Sequence, residues 1–121
     1  MRITEVLTKR TIKLEIQSTS KGDVVKELVD VLDRAGKLSN KESYEQAVLN
    51  REKQSTTGIG DGIAIPHAKT NAVKEPAIVF GRSTNGVDYE SLDGQPSYLF
   101  FMIAAPEGAN NTHLEALSKL S

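Results

Sequence analysis

Most of what this chain reveals about its fold and chemistry lies in Gly58-Ile59-Gly60-Asp61-Gly62-Ile63-Ala64-Ile65-Pro66-His67-Ala68-Lys69-Thr70. Its glycines favour a turn, and the apolar run that follows is typical of a short strand. Proline fixes its own φ and biases the residue before it toward extended backbone. The stretch therefore predicts a turn, a short strand over 63–65 and then a histidine, His67, held by a stiff backbone.

A histidine held in this way suits nucleophilic chemistry. An unperturbed imidazole is largely neutral at cellular pH and is therefore nucleophilic. Its geometry must be fixed before a donor arrives, and a stiff backbone provides this. On spacing alone, however, a loop histidine without a chemical role is the more economical interpretation of His67.

Bulk composition limits the possible classes of protein. A chain of 121 residues fits one domain, so we expect a single domain over 1–121. A net charge of -1 gives no general attraction to nucleic acid or to an anionic membrane. The absence of cysteine excludes a disulfide framework and a thiol nucleophile. No apolar run is long enough to span a bilayer and the N-terminus lacks a signal-peptide core, so we expect a cytoplasmic protein.

The periodicity of apolar residues predicts an α/β fold. Helices are predicted over 3–7, 23–35 and 41–52, with a last helix from about 112 to the end of the chain. Strands are predicted over 11–16, 63–65, 77–82 and 98–105, the last of them buried on both faces, with a loop over 55–62. In the first strand, Ile12, Leu14 and Ile16 alternate with polar residues and should share the buried face.

Two further residues are candidates for an anion site. His113 lies at the start of the last predicted helix, where free N–H groups and the helix dipole favour a phosphate, so it could hydrogen-bond a phosphoryl group on a neighbouring histidine. Taken alone, a polar residue in a first helical turn needs no such explanation. Arg51, near the end of its helix, could either complement the helix dipole or cover an anionic group on the loop beyond.

Two other kinds of site are disfavoured by spacing. The two histidines are far apart and form no His-x-x-x-His pattern, so we expect no metal site. The glycines follow a Gly-x-Gly-x-Gly spacing without the lysine and helix of a nucleotide loop, and are better explained as turn residues beside a site.

Several stretches together resemble the enzyme IIA domains of the fructose–mannitol class of the bacterial sugar phosphotransferase system. They are Asn50-Arg51-Glu52, the stretch from Thr57 to Lys69, Leu92-Asp93-Gly94-Gln95-Pro96, Ala105-Pro106-Glu107 and His113-Leu114-Glu115-Ala116-Leu117. The resemblance covers essentially the whole chain and implies a single domain with a mixed β-sheet flanked by α-helices. Because that family continues with further helix, we expect a C-terminally truncated domain, although a short terminal helix that simply docks and stops is the alternative.

The resemblance also implies a function. His67 would accept a phosphoryl group, through Nε2, from the histidine-containing phosphocarrier protein (HPr) and pass it to a cysteine of a IIB domain. His113 would stabilise the phosphoryl group, and Arg51 and Thr57 would lie beside it as phosphate-binding residues. The step would need no cofactor and no metal, and the membrane would be involved only indirectly, through a IIC transporter of fructose type.

Other functions remain open at this point. A nitrogen-related regulatory IIA protein would carry the same phosphohistidine but act by phosphorylation-dependent binding of partners. The chain could also be a domain of a larger transporter or transcription regulator. If the resemblance failed, an α/β binding module with an unassigned ligand would remain.

Overall fold

The computed structural model describes residues 6–108, and the elements named here all lie within that range. A 3₁₀ turn, Lys9–Thr11, leads into strand β1 (Ile12–Lys13), followed by helices α1 (Lys21–Arg34) and α2 (Lys41–Gln54). The remaining strands are β2 (Gly58–Gly60), β3 (Ile63–Ala64), β4 (His67–Lys69), β5 (Ala77–Val87) and β6 (Ser97–Ala105). The predicted last helix, including His113, falls outside the described residues, as does most of the helix predicted over 3–7.

The helices predicted over 23–35 and 41–52 are confirmed, with bounds that differ from the prediction by at most two residues. The Ser20 side chain accepts a hydrogen bond from the Asp23 N–H at 3.4 Å and caps α1. Gly36 follows this helix with φ +75°, the left-handed conformation that commonly ends a helix. Asn40 caps α2 by accepting from the Ser43 N–H at 3.0 Å.

The strands form one mixed sheet in the order β1-β5-β6-β3-β2, with β4 also paired to β6. β6 is the central strand of this sheet, because it pairs antiparallel with β5 and parallel with both β3 and β4. β3 and β4 lie one after the other along the same side of β6, with Ile63 opposite Leu99 and His67 opposite Ile103. The predicted mixed α/β architecture is therefore confirmed.

The two helices cover one face of the sheet. Their buried side chains pack against alternate residues of the strands, and this core comprises Val24, Val25, Leu28, Val29, Leu32, Tyr44, Val48, Val79, Phe100 and Met102, among others. A smaller cluster of Val6, Ile65, Ile78 and Ile103 lies on the opposite face. The Tyr44 hydroxyl donates to the Ile103 carbonyl at 2.9 Å, and complete burial raises the pKa of this phenol above its ordinary value.

The predicted strand over 11–16 is wrong in extent and in its buried face. Only Ile12 and Lys13 are in β1, and the preceding residues form the 3₁₀ turn. Ile12 is 39% exposed and Leu14 is 53% exposed, whereas Ile16 is buried. Among the described strands, β1 lies at the edge of the sheet and pairs only with β5. The alternating apolar residues of 11–16 therefore do not share one buried face.

The predicted loop over 55–62 is also wrong in part, since it contains β2. Gly58–Gly60 pairs antiparallel with β3, and the residues between the two strands form a tight turn. β5 extends to Val87, beyond the predicted end at residue 82, through a register shift after Arg82. Glycine and asparagine have a low strand propensity, so pairing with neighbouring strands rather than local sequence formed the strand at Gly58–Gly60 and the end of β5.

Leu28→Ala should reduce the free energy of unfolding by about 2–5 kcal/mol, because Leu28 is completely buried between α1 and the sheet. Leu92→Ala makes the same chemical change at a residue that is 74% exposed, and should change stability by less than about 0.5 kcal/mol. Urea denaturation of both variants measures the difference. Equal losses would contradict the assignment of α1 to the core.

Candidate functional site

His67 opens β4, and a backbone carbonyl holds its ring. The Nδ1 atom lies 2.8 Å from the carbonyl oxygen of Ile65. A carbonyl oxygen can only accept a hydrogen bond, so Nδ1 is the protonated nitrogen and the lone pair of the neutral ring is on Nε2. The half-buried imidazole therefore has a defined tautomer as well as a defined position.

The carbonyl that holds the ring is itself fixed from both sides. The Ile65 N–H donates to the Thr57 carbonyl at 2.9 Å, and the Pro66 carbonyl accepts from the Ile103 N–H at 2.9 Å. Pro66 has no N–H of its own to donate, which accounts for the break between β3 and β4 at this point. The backbone just before His67 is thus tied to β6 on one side and to residue 57 on the other.

The glycine turn that precedes this segment needs its glycines. Gly60, Asp61 and Gly62 have φ of +103°, +56° and +78°, a left-handed path that side chains disfavour. The Asp93 carboxylate accepts from the Asp61 N–H at 3.0 Å and holds the turn. Hydrogen bonds from the backbone N–H groups of Gln95 and Asp61 keep the pKa of Asp93 below its ordinary value.

A cavity of about 440 Å³ lies between the last turns of α2 and β4. It is lined by Ala47, Asn50, Arg51, Gln54, His67, Ala68 and Lys69. Among these lining residues there are two permanent cations and no carboxylate, and the rest are neutral. A cavity of this composition favours an anionic group beside the imidazole.

Arg51 makes a contact at the end of its helix, as the first of its two interpretations predicted. Its Nη1 atom donates to the Ser55 carbonyl at 2.8 Å, just beyond the end of α2, where unpaired carbonyls need donors. A guanidinium has five N–H donors, so this contact leaves capacity for an anion in the cavity that Arg51 lines. Its predicted role in phosphate binding stays a prediction.

Thr57 is not among the residues that line the cavity. Its side chain is buried, with 3% exposed, and its hydroxyl donates to the carboxylate of Glu52. Its N–H donates to Glu52 Oε1 at 3.0 Å. The structure therefore gives the Thr57 hydroxyl an internal partner, while its predicted role beside a phosphate stays a prediction.

Glu52 is the residue of this region that the sequence analysis missed. It is only 8% exposed, and it accepts from the Tyr89 hydroxyl at 3.0 Å and pairs with Lys21 Nζ at 3.1 Å. Burial, and then the nearby Glu52 charge, raise the pKa of Tyr89 above its ordinary value. Glu52 continues the i, i+4 series of Tyr44 and Val48 on the buried face of α2, and this spacing was the available signal.

Two kinds of feature do not occur among the described residues. Within residues 6–108, no helix has the length and apolar character that crossing a membrane requires. The same residues contain no group of three or more His, Cys, Asp or Glu side chains that could hold a metal ion.

A fixed imidazole beside a cationic cavity in a mixed α/β domain suits a domain that handles phosphate groups. The family model described as phosphoenolpyruvate-dependent sugar phosphotransferase system, EIIA 2, matches residues 5–121. This chain belongs to that family, the fructose–mannitol class of EIIA phosphotransferases, which pass phosphoryl groups between proteins.

Individual relatives agree with this assignment. The chain is 69% identical over 121 residues to the fructose-specific EIIABC component of Bacillus subtilis, covering all of this chain and 19% of that protein. It is 41% identical over 110 residues to the fructose-specific EIIA component of Haloferax volcanii, covering 91% of this chain and 71% of the relative. The chain thus spans about a fifth of the first relative's length.

Solved structures show the same fold. The nitrogen regulatory protein IIA-Ntr of Neisseria meningitidis has a TM-score of 0.86 at 35% identity, over 96% of this chain and 79% of that one. The enzyme IIA of mannitol from Escherichia coli, in complex with phosphorylated IIB, has a TM-score of 0.81 at 25% identity, over 95% of this chain and 80% of that one.

The geometry predicts that His67 is the Nδ1–H tautomer when neutral, because its Nδ1 donates to the Ile65 carbonyl. Long-range ¹H–¹⁵N correlation spectra at mildly alkaline pH measure this directly from the two ring nitrogen shifts. His67→Ala identifies the signals by their disappearance. Predominance of the Nε2–H form would contradict the assignment.

Proposed function

We propose that this chain carries a phosphoryl group on Nε2 of His67. The observation that supports this best is the hydrogen bond from Nδ1 to the Ile65 carbonyl, which leaves the ring's lone pair on Nε2. The same ring lines a cavity with Arg51 and Lys69. A nucleophile of defined tautomer and a cationic cavity are the two requirements of phosphoryl acceptance.

The transfer is a simple exchange of bonds. The lone pair of Nε2 attacks phosphorus, a P–N bond forms on His67, and the bond from phosphorus to the donor's histidine breaks. In the onward step the P–N bond on His67 breaks as phosphorus bonds to the acceptor. The transfer potential comes from the donor, so positioning and charge stabilisation are the tasks of the protein.

The groups around the cavity stabilise the negative charge of the phosphoryl group. Arg51 has donors for phosphoryl oxygens besides the one that holds Ser55. This charge matters because α2 ends at the cavity, and the dipole at a helix C-terminus by itself repels an anion. We include His113 and Thr57 in the proposed phosphate-binding set, on the family resemblance alone.

The partners follow from the family. We propose HPr as the donor, a IIB domain as the acceptor, and a fructose-type IIC transporter as the only link to the membrane, with the chain itself in the cytoplasm and without a cofactor. The fructose-specific relatives in Bacillus subtilis and Haloferax volcanii support the sugar class. The structure of an enzyme IIA with phosphorylated IIB supports the acceptor.

Regulation of nitrogen metabolism is the second candidate, because the chain shares its fold and 35% of its sequence with a IIA-Ntr protein. The two functions differ in the fate of the phosphoryl group. Rapid transfer to the IIB domain of a fructose transporter favours transport, and retention of the group with binding of another protein favours regulation.

His67→Ala should abolish phosphorylation because it removes the nucleophile. Intact-mass spectrometry after incubation with phosphoenolpyruvate, enzyme I and HPr should show one acid-labile phosphate on the wild type and none on the variant. Circular dichroism confirms that the variant is folded. Label on His67→Ala would show that another residue is the acceptor.

Arg51→Ala should slow phosphorylation by about 10- to 100-fold, the kinetic equivalent of a lost hydrogen bond to a charged group. Arg34→Ala is the matched control, since Arg34 also lies in the last turn of a helix and its side chain is 78% exposed. Stopped-time mass spectrometry gives both rates. Equal rates for the two variants would restrict Arg51 to a structural role at the end of α2.

A further inference from the structure

The pair formed by Lys21 and Glu52 has its charges at unfavourable ends of two helices. Lys21 is the first residue of α1, where the helix dipole is positive, and Glu52 lies in the last turns of α2, where it is negative. Their side chains are 17% and 5% exposed and approach to 3.1 Å. The dipole of its own helix destabilises each charge, and the opposite charge of the other side chain stabilises it.

Stability alone does not explain such a pair. Desolvation of two charges costs about as much as their attraction returns, and apolar residues of similar volume are often equally stable. Yet Glu52 has partners for both carboxylate oxygens. Oε1 accepts from the Thr57 N–H and faces Lys21, while Oε2 accepts from the Thr57 and Tyr89 hydroxyls. A fully satisfied buried group of this kind fixes a specific local geometry.

Consecutive hydrogen bonds connect Glu52 to the imidazole of His67. Glu52 holds residue 57 by both its N–H and its hydroxyl. The carbonyl of Thr57 holds the Ile65 N–H at 2.9 Å, and the carbonyl of Ile65 holds Nδ1 of His67 at 2.8 Å. A displacement of the loop after α2 would therefore move the carbonyl that sets the ring's position and tautomer.

We infer that Glu52 is a positioning residue for His67: its carboxylate, through Thr57 and Ile65, holds the imidazole with Nε2 toward the incoming phosphoryl group. This inference rests on the proposed phosphorylation of His67. It assigns Glu52 no contact with the phosphoryl group, since Glu52 is absent from the residues that line the cavity.

The test is Glu52→Gln, which keeps the size of the side chain and removes the charge and one acceptor oxygen. Phosphorylation by phospho-HPr should slow by about 10- to 100-fold, the scale of a misplaced reacting group. In the unphosphorylated protein, the ¹⁵N shifts of Nδ1 and Nε2 of His67 should move toward each other, as the Nε2–H tautomer gains population. Both readouts are taken at a temperature where circular dichroism shows the variant folded.

Glu90→Gln is the matched control. Glu90 also pairs with Lys21, at 3.2 Å, but its side chain is 74% exposed. This variant should keep the wild-type rate and the wild-type ring shifts. If Glu52→Gln does not fold, Tyr89→Phe removes one hydrogen bond to Oε2 and should move the ring shifts in the same direction.

The outcomes distinguish a failure of the positioning role of Glu52 from a failure of the proposed phosphorylation of His67. Unchanged ring shifts and rate in Glu52→Gln, even with lowered stability, would overturn the positioning role, as would unchanged shifts in Tyr89→Phe where that variant replaces it. A wild type that takes no label on His67 would refute the proposed function. The ring shifts need no donor, so in that case they alone would decide whether Glu52 positions the imidazole.

Discussion

The candidate site depends on the two backbone groups of Ile65, which lies between β3 and β4. Successive residues of a strand direct their backbone groups to opposite sides. The Pro66 carbonyl accepts from Ile103 of β6, and Ile65 directs its own groups away from β6. Its N–H bonds to Thr57 and its carbonyl to the ring of His67. The imidazole is thus fixed by a backbone carbonyl that lies between two strands rather than within one.

Ile103 connects the segment around Pro66 to the hydrophobic core. Its N–H donates to the Pro66 carbonyl and its carbonyl accepts from the buried Tyr44 hydroxyl, each at 2.9 Å. Tyr44 belongs to α2, the helix that also carries Arg51. The strand bearing the imidazole and the helix bearing the guanidinium are therefore both positioned relative to one residue of the central strand. Core packing, which holds α2 on the sheet, consequently contributes to the spacing between the two functional groups.

The sequence predicted the elements whose signals are local. The helices predicted over 23–35 and 41–52 were found because their signal is the spacing of neighbouring apolar residues. The edge strand near Ile12 was mispredicted because it depends on β5, which is distant in sequence. The pairing of Gly58–Gly60 with β3 is local, and it was missed because glycine has a low strand propensity. The stiff approach to His67 followed from Pro66, but the anchor at the Ile65 carbonyl did not, because any residue supplies a carbonyl. The burial of Glu52 was not predicted because a charged residue is rarely assigned to a buried face.

This dependence on backbone groups indicates where substitutions would be tolerated. The acceptors that fix the ring and its anchor are the carbonyls of Ile65 and Thr57, so the identity of those side chains matters less than the path of the chain. That path is set by Pro66, by the left-handed turn around Gly60 and by the carboxylate that holds residue 57. A side chain can drift among rotamers, whereas a carbonyl in a paired segment cannot. The proposed function presents one nitrogen to two different proteins in turn, and such an anchor suits it because the geometry does not depend on which partner is bound.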